Sequence, residues 1–380
     1  MPRSVNYSAV FACVIGVFLA GSLARAEDDE AQKAKDARRV KALLRLSNVD
    51  LGAMPEAKAS LVRYLAAKTG TEEYLQLVGR FQIREAQNEL LKLALEKPDD
   101  ALGVEAARLL LVFHDEKFLS AALEDKDDAR AVRLILALGL TGDVKANEFL
   151  APIVTLAERA VAVRTAAVTA LGRNLPGQKL LLAVVVEGKL AADLQFAAAN
   201  ALLTSTDAGV KAEAAKHLKL PATADSKPLP PVAELVRQAG HVEEGRKLFA
   251  TLGTCAKCHK VKGEGKEVGP DLSEIGSKLG KDALYISILD PSAGISHNYE
   301  THLFLLEDGS TLSGIIVSET AQQVDVKTAE ALVRKLPVSE ITSRKKQNIS
   351  LMPADLQKTL TAQNLIDIVE YLTTLKKPAN

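Results

Sequence analysis

The chain has 380 residues, with 48 Lys or Arg against 48 Asp or Glu, and 47% of its residues are apolar. This apolar fraction excludes disorder across most of the chain and is sufficient for about two or three domains. The formal net charge of zero argues against a general nucleic-acid binder, which carries an excess of basic residues. Aromatic residues are scarce, whereas Ala and Leu are abundant and favour helices.

Residues 1–26 have the pattern of a secretory signal peptide. Arg3 precedes an apolar stretch of about 13 residues, and Ala24-Arg25-Ala26 forms a small-residue cleavage site. The stretch falls short of the ~20 residues that span a bilayer as a helix, although an uncleaved membrane anchor is the alternative. We therefore predict an exported protein, in the periplasm or an equivalent compartment, without a stable membrane span after cleavage.

Residues 27–220 show the i, i+3, i+4, i+7 apolar spacing of amphipathic helices, separated by short polar breaks. Three of these helices share a framework in which Leu138, Leu171 and Leu202 occupy matching positions. Small Ala and Gly residues in this framework should allow close helix–helix approach. The segment, and Val163–Gly172 in particular, resembles HEAT-type helical repeats. The resemblance implies an α-solenoid of stacked hairpins, whose surface could dock another protein.

A proline-rich segment, residues 221–231, follows the repeats and has the composition of a linker. We place the domain division here, with residues 232–380 as the second domain. A helix over residues 232–252 is expected to open that domain. All residues with recognisable chemistry follow this segment.

Cys255, Cys258 and His259 form a Cys-x-x-Cys-His motif, which is typical of a c-type haem attachment site. In that chemistry the two thiols bond to the haem vinyl groups and the imidazole binds the iron. A small disulfide, a structural zinc site and a thioredoxin-like redox pair are the alternatives. The zinc site lacks a second pair of ligands, and the redox pair lacks a βαβ context. The motif predicts one covalent haem c, with its iron, held by Cys255, Cys258 and His259.

Beyond the motif the sequence pattern changes from helical to strand-like. The residue before a proline is disfavoured in a helix, so a short helix should end at Asp290-Pro291. Alternating apolar residues around Asp308-Gly309 predict a β-hairpin within a β insertion of about residues 299–345. The predicted elements are a helix over Lys281–Leu289, strands over Tyr299–Leu306 and Thr311–Val317, weaker strands near Val324–Lys327 and Leu332–Leu336, and a final helix over Thr361–Leu375.

An ordered series of motifs runs through about residues 240–375. It comprises Gly245-x-x-x-Phe249, Cys255 to His259, Val268-Gly269-Pro270-Asp271-Leu272, Ile288-Leu289-Asp290-Pro291-Ser292, Asp308-Gly309, Leu351-Met352-Pro353 and Ile368 to Leu372. The series resembles the haem-binding domain of the Pirellula/Verrucomicrobium type, a variant of the class I cytochrome c fold. The implied fold class is mainly α: a HEAT-like α-solenoid, then a cytochrome c-like helical domain carrying a small antiparallel β insertion.

The resemblance also implies roles for individual residues. His259 would be the proximal iron ligand, Pro270 would offer its carbonyl oxygen to the His259 imidazole, and Met352 would be the distal ligand. Gly245 and Phe249 would contact Tyr371 where the first and last helices meet. The β insertion departs from the minimal fold and is either a peripheral meander or a cover over the haem edge.

Several residues have alternative interpretations. His297 or His302 could replace Met352 in a bis-His haem. The lysines around the haem crevice could steer an acidic redox partner or serve only to solvate a loop. They are Lys257, Lys260, Lys262 and Lys266.

The expected His/Met ligation predicts a monohaem electron-transfer protein and not an enzyme, because both axial positions of the iron are filled. Its partner would be a dehydrogenase or another cytochrome. If Met352 does not bind iron, an open distal site would instead indicate a haem-based sensor or a peroxidase-like enzyme. A repeat scaffold with an accessory haem is the third interpretation.

Overall fold

The computed structural model describes residues 29–46 and 49–378, so the predicted signal peptide lies outside the described residues. The chain divides into two compact units, with the boundary between Asp115 and Glu116. Helices predominate in both units, and the fold is mainly α as predicted. Among the described residues, no helix is long and apolar enough to cross a membrane.

The first unit consists of helices, two of which begin at a side-chain cap. The Thr71 hydroxyl accepts a hydrogen bond from the Tyr74 amide, and the Asp100 carboxylate accepts one from the Leu102 amide. Such caps satisfy amide groups that have no partner within the helix. The helical segments are residues 29–43, Pro55–Ala66, Glu72–Phe81, Gln87–Glu96 and Ala101–Phe113.

The second unit begins with helices that pack closely through small residues. A Cβ atom added to Gly139 would lie 2.6 Å from the Ala170 Cβ, and one added to Gly172 would lie 2.7 Å from the Ala201 Cβ. The predicted close approach at small residues is therefore confirmed. The helices are Glu116–Leu123, Asp128–Leu140, Ala146–Leu150, Val161–Leu171, Leu175–Val186, Gln195–Leu203 and Ala208–His217.

The proline-rich segment 221–231 is packed and hydrogen-bonded within this second unit. Leu229 is buried, and its amide donates to the Pro221 carbonyl oxygen. The Ala224 amide donates to the Leu360 carbonyl oxygen at 2.9 Å. The segment therefore lies within the second compact unit, and the domain division predicted at residues 221–231 stays a prediction.

The predicted continuous helix over residues 232–252 is wrong. Two helices, Val232–Leu235 and Val242–Ala250, replace it. Between them the amides of Gly240 and His241 donate to the Glu370 and Asp367 carboxylates, at 3.1 and 2.8 Å. The chain passes so close to the last helix that a Cβ at Gly240 would lie 2.7 Å from the Ile366 carbonyl oxygen. Carboxylates of another helix therefore take the place of helical carbonyl acceptors.

The first and last helices of the haem-motif region cross at Gly245. The last helix, Ala362–Thr374, starts at a capping box formed by Thr361 and Asn364. A Cβ at Gly245 would overlap the Asp367 carbonyl oxygen, so only glycine allows this approach. The Phe249 and Tyr371 rings meet edge to face, with their centroids 5.8 Å apart. The predicted contact is confirmed, and the predicted helix Lys281–Leu289 has the predicted bounds.

The β insertion is a five-stranded antiparallel sheet with its own small core. Its strands are Thr301–Leu306, Thr311–Glu319, Gln323–Lys327, Val333–Pro337 and Ile341–Lys346. In this numbering the spatial order is fourth, third, second, first, fifth. The predicted hairpin is present, with Gly309 at φ 81° in its turn. The fifth strand was not predicted, because as an edge strand it is polar and exposed along most of its length.

Candidate haem-binding site

One cleft brings together the residues that the sequence singled out. It has a volume of about 360 Å³, and Cys255, Cys258, His259, Pro270 and Met352 all line it. Most of the remaining lining is apolar. It includes Val268, Leu272, Ile275, Leu279, Leu284, Ile288, Leu351 and Leu356. A concave, mainly apolar surface with a few polar donors is typical of a cofactor site.

The two cysteines lie on a tight turn at the start of this cleft. Residues Cys255–Lys257 form a 3₁₀ turn that follows Thr254, whose φ of 55° reverses the chain. Both side chains are free thiols, so the disulfide alternative is not formed. Burial raises the pKa of Cys255 to about 11 and also raises that of Cys258. Both therefore carry their protons at neutral pH, as neutral thiols beside an apolar cleft.

His259 is held as a neutral imidazole with one nitrogen already bonded. Its side chain is buried, and its Nδ1 donates to the Pro270 carbonyl oxygen at 2.8 Å. Burial lowers the His259 pKa, and the bond to Pro270 opposes that change only in part. With the proton assigned to Nδ1, the lone pair of Nε2 is left to bind a metal. The contact predicted between Pro270 and His259 is therefore present.

Gly269 supports the His259 ring in a way that the sequence did not reveal. A Cβ added to Gly269 would lie 2.5 Å from the ring carbon Cε1 of His259. The amides of Val268 and Gly269 both donate to the Cys258 carbonyl oxygen, at 2.9 and 2.8 Å. These bonds hold the backbone of Gly269 in contact with the His259 ring. The Gly269-Pro270 pair is a sequence signal for this contact, but only Pro270 is assigned a role from the sequence.

Of the three residues considered as a second iron ligand, Met352 is the one that lines the cleft. The His297 side chain is 87% exposed and lies 3.7 Å from the Glu300 carboxylate. His302 lies on a strand, with its Nδ1 3.2 Å from the Glu300 carbonyl oxygen. His259 and Met352, which are 93 positions apart in the sequence, therefore line the same cleft. His297 and His302 do not line it.

The β insertion forms part of the cleft wall. Tyr299, Ile315 and Ala329 line the cleft, and the Lys327 ammonium group donates to the Glu267 carbonyl oxygen at 2.6 Å. This bond ties the sheet to the loop just before Gly269. Of the lysines considered as a steering patch, Lys257 lines the cleft, whereas Lys260 is paired with Glu267 at 3.1 Å.

The donor set and the lining fit a covalently attached haem. Two free thiols are available for covalent attachment. A neutral imidazole and a thioether are available to bind the iron, and apolar side chains line the cleft that would hold the porphyrin ring. The described part of the chain contains no cluster of three or more His, Cys, Asp or Glu side chains that could hold a metal ion.

Comparison with protein families agrees with this fit. The family model described as Cytochrome c matches residues 242–304, a range that includes the cysteine motif, Gly269 and Pro270. No curated protein matches the chain. The cleft thus belongs to a cytochrome c-like haem-binding domain, and the match supports a haem-binding electron-transfer protein.

Proposed function

We propose that the chain is an exported monohaem c-type cytochrome that carries single electrons through a His/Met-ligated haem. The observation that carries the proposal is the shared cleft of Cys255, Cys258, His259 and Met352. In this proposal the two thiols hold the haem covalently. His259 and Met352 would bind its iron.

Haem iron, when bound, supplies a one-electron exchange between its ferric and ferrous states. The chain's own residues prepare the place for it. The Pro270 carbonyl oxygen accepts a hydrogen bond from His259 Nδ1 and so fixes the tautomer and the orientation of the imidazole. The unprotonated Nε2 is then free to bind the iron. The apolar lining excludes water from the cleft, which disfavours the more highly charged ferric form and raises the reduction potential.

An electron carrier is favoured over a sensor or a peroxidase-like enzyme. Met352 lines the cleft, and a protein ligand on each face leaves no position for oxygen or peroxide. The wall formed by the β insertion adds to this closure, in line with a cover over the haem edge. We therefore assign no catalytic residue.

The helical repeats are proposed as the surface that docks a redox partner, a dehydrogenase or another cytochrome. The repeated glycine–alanine contacts at Gly139 and Gly172 support a stacked, HEAT-like solenoid within residues 27–220. The ordered motifs of residues 240–375 support the Pirellula/Verrucomicrobium subtype. The Ala24-Arg25-Ala26 pattern supports cleavage and export, so the mature chain would begin at Glu27.

The test is the stoichiometry and attachment of haem in protein expressed in a bacterial periplasm with haem-attachment machinery. Haem staining after denaturing electrophoresis should label the wild type and the exposed-histidine control His297→Ala, but not Cys255→Ala/Cys258→Ala. Alkaline pyridine spectra should give one haem per chain, and potentiometric titration a single one-electron step. N-terminal sequencing should start at Glu27. A wild-type chain without covalent haem, or with several haems, contradicts the proposal.

A further inference from the structure

The loop that carries Met352 has few connections to the rest of the fold. Residues 348–354 form neither helix nor strand. Within the described part of the chain, one hydrogen bond joins this loop to a distant segment: the Ser350 amide donates to the Ser292 Oγ at 3.1 Å. Fifty-eight positions separate the two serines. The place of the loop therefore depends on this bond and on its packing against the cleft.

Ser292 offers a fixed point of attachment. It follows the helix Lys281–Leu289, whose Leu284 and Ile288 line the cleft. The Asp290 amide donates to the Ile286 carbonyl oxygen at 2.8 Å, and the Ala293 amide donates to the Asp290 carbonyl oxygen at 3.0 Å. These two bonds hold Ser292 in a defined turn at the end of a packed helix.

A second bond extends the attachment to Met352 itself. The Met352 amide donates to the Ser350 Oγ at 3.1 Å. Ser292 Oγ, Ser350 and the Met352 backbone thus form a short relay from the helix to the residue whose side chain lines the cleft. A relay of this kind restricts where the thioether sulfur can lie.

We propose that Ser292 is a positioning residue, which acts through Ser350 to keep the Met352 sulfur at the distal face of the haem. The inference rests on the proposed function, in which Met352 is an iron ligand. Without Ser292 Oγ the loop spends a larger fraction of its time open. An external ligand binds the iron only in that open state, so its apparent affinity rises with the open fraction.

The experiment compares imidazole binding to the ferric holoprotein in matched serine variants. Ser292→Ala should bind imidazole about 2- to 10-fold more tightly than the wild type, the factor expected for one lost hydrogen bond. The sulfur-to-iron absorption band of Ser292→Ala should also be lost at a lower imidazole concentration than that of the wild type. Ser292→Thr keeps a hydroxyl and should restore wild-type affinity. Ser343→Ala is the control, because Ser343 is exposed on the strand Ile341–Lys346 and does not line the cleft.

Ser350→Ala tests the second half of the relay and replaces Ser292→Ala if that variant yields no holoprotein. It keeps the Ser350 amide but removes the acceptor of the Met352 amide, so imidazole affinity should again rise. A wild-type sulfur band with unchanged imidazole affinity in both alanine variants overturns only this inference. A wild-type ferric spectrum without the band overturns Met352 ligation, and this inference with it.

Discussion

The helices between Glu116 and His217 and the region after residue 231 both pack through glycine residues, but the contacts differ. In both, glycine stands where two helices approach too closely for a larger side chain. At Gly139 and Gly172 the close neighbour is an alanine Cβ. The two glycines occupy matching positions in the sequence, and each contributes to a close helix–helix contact. At Gly245 the neighbour is the Asp367 carbonyl group, and a ligand-sized cleft lies beside the crossing helices.

The difference separates the loops that line the cleft from the helix contacts that support them. The cysteine turn, the Gly269-Pro270 loop and the Met352 loop supply the residues proposed to hold a haem. The crossing at Gly245 brings the supporting helices together. Substitutions that enlarge each glycine should therefore affect the two regions separately.

Gly245→Ala is expected to have the largest effect on the haem region. Its Cβ would overlap a backbone oxygen of Asp367, which cannot move without shifting the last helix. We expect a loss of about 3 kcal/mol or more in the free energy of unfolding, at the upper end of overpacking. Urea denaturation followed by the haem absorption measures it.

Gly294→Ala is the matched control for this substitution. No heavy atom lies within 4 Å of a Cβ at Gly294, which also lines the cleft. Its free energy of unfolding should stay within about 0.5 kcal/mol of the wild type. Equal stability of the two variants would show that the helix crossing tolerates a side chain.

Asp290→Asn tests a contact between the two regions and should have an intermediate, pH-dependent effect. The Asp290 Oδ2 is buried without a hydrogen-bond partner. Burial, and then the nearby Asp193 carboxylate in the turn Ala192–Leu194, raise the pKa of Asp290 to about 6. Asp193 is itself paired with Arg164, with Oδ2 and Nη2 2.6 Å apart.

The raised pKa fixes the sign of the pH dependence. The folded chain keeps a proton on Asp290 from about pH 4 to pH 6, where the unfolded chain has lost it. The contribution of Asp290 to stability is therefore most favourable below pH 4 and falls as the pH rises towards 6. Asn resembles the protonated acid, so Asp290→Asn should be more stable by about 2 kcal/mol at pH 7.5, with little difference at pH 4. Parallel stability profiles from pH 4 to 7.5 would contradict this account.

Gly139→Ala should have the smallest effect of the three. The new Cβ would lie 2.6 Å from the Ala170 Cβ, and overpacking of this kind costs about 1–3 kcal/mol. Alanine gains about 1 kcal/mol in helix propensity over glycine, which offsets part of the loss. The net loss should be about 0–2 kcal/mol, measured by far-UV circular dichroism in urea.

The double variant Gly139→Ala/Ala170→Gly exchanges the two sides of this contact. It should be less destabilised than the sum of the single variants, because the clash is relieved. Strict additivity would mean that the two residues do not interact. The haem spectrum should stay unchanged in all of these variants of Gly139 and Ala170.

Much of the cleft could be predicted because its chemistry is encoded locally. The Cys-x-x-Cys-His motif, Pro270 and Met352 were identified as residue types in an ordered series, and all of them line one cleft. The helix Lys281–Leu289 was predicted correctly because Pro291 gives a local stop signal.

The remaining features depend on contacts between distant segments. The break at Gly240 is caused by carboxylates some 130 positions away, which no local pattern reveals. The strand Ile341–Lys346 was missed because its exposed polar side chains resemble a loop. No sequence pattern links Ser292 to Ser350. Their hydrogen bond forms because the fold brings two distant loops together.

The central claim is that His259 and Met352 both bind the haem iron. The most direct test is the absorption spectrum of ferric and dithionite-reduced holoprotein, for the wild type, Met352→Ala and the control His302→Ala. We predict a weak long-wavelength sulfur-to-iron band in the ferric wild type and control, absent in Met352→Ala, whose ferrous form should bind carbon monoxide. A wild type that lacks the band and binds carbon monoxide readily would contradict the claim and indicate an open distal site.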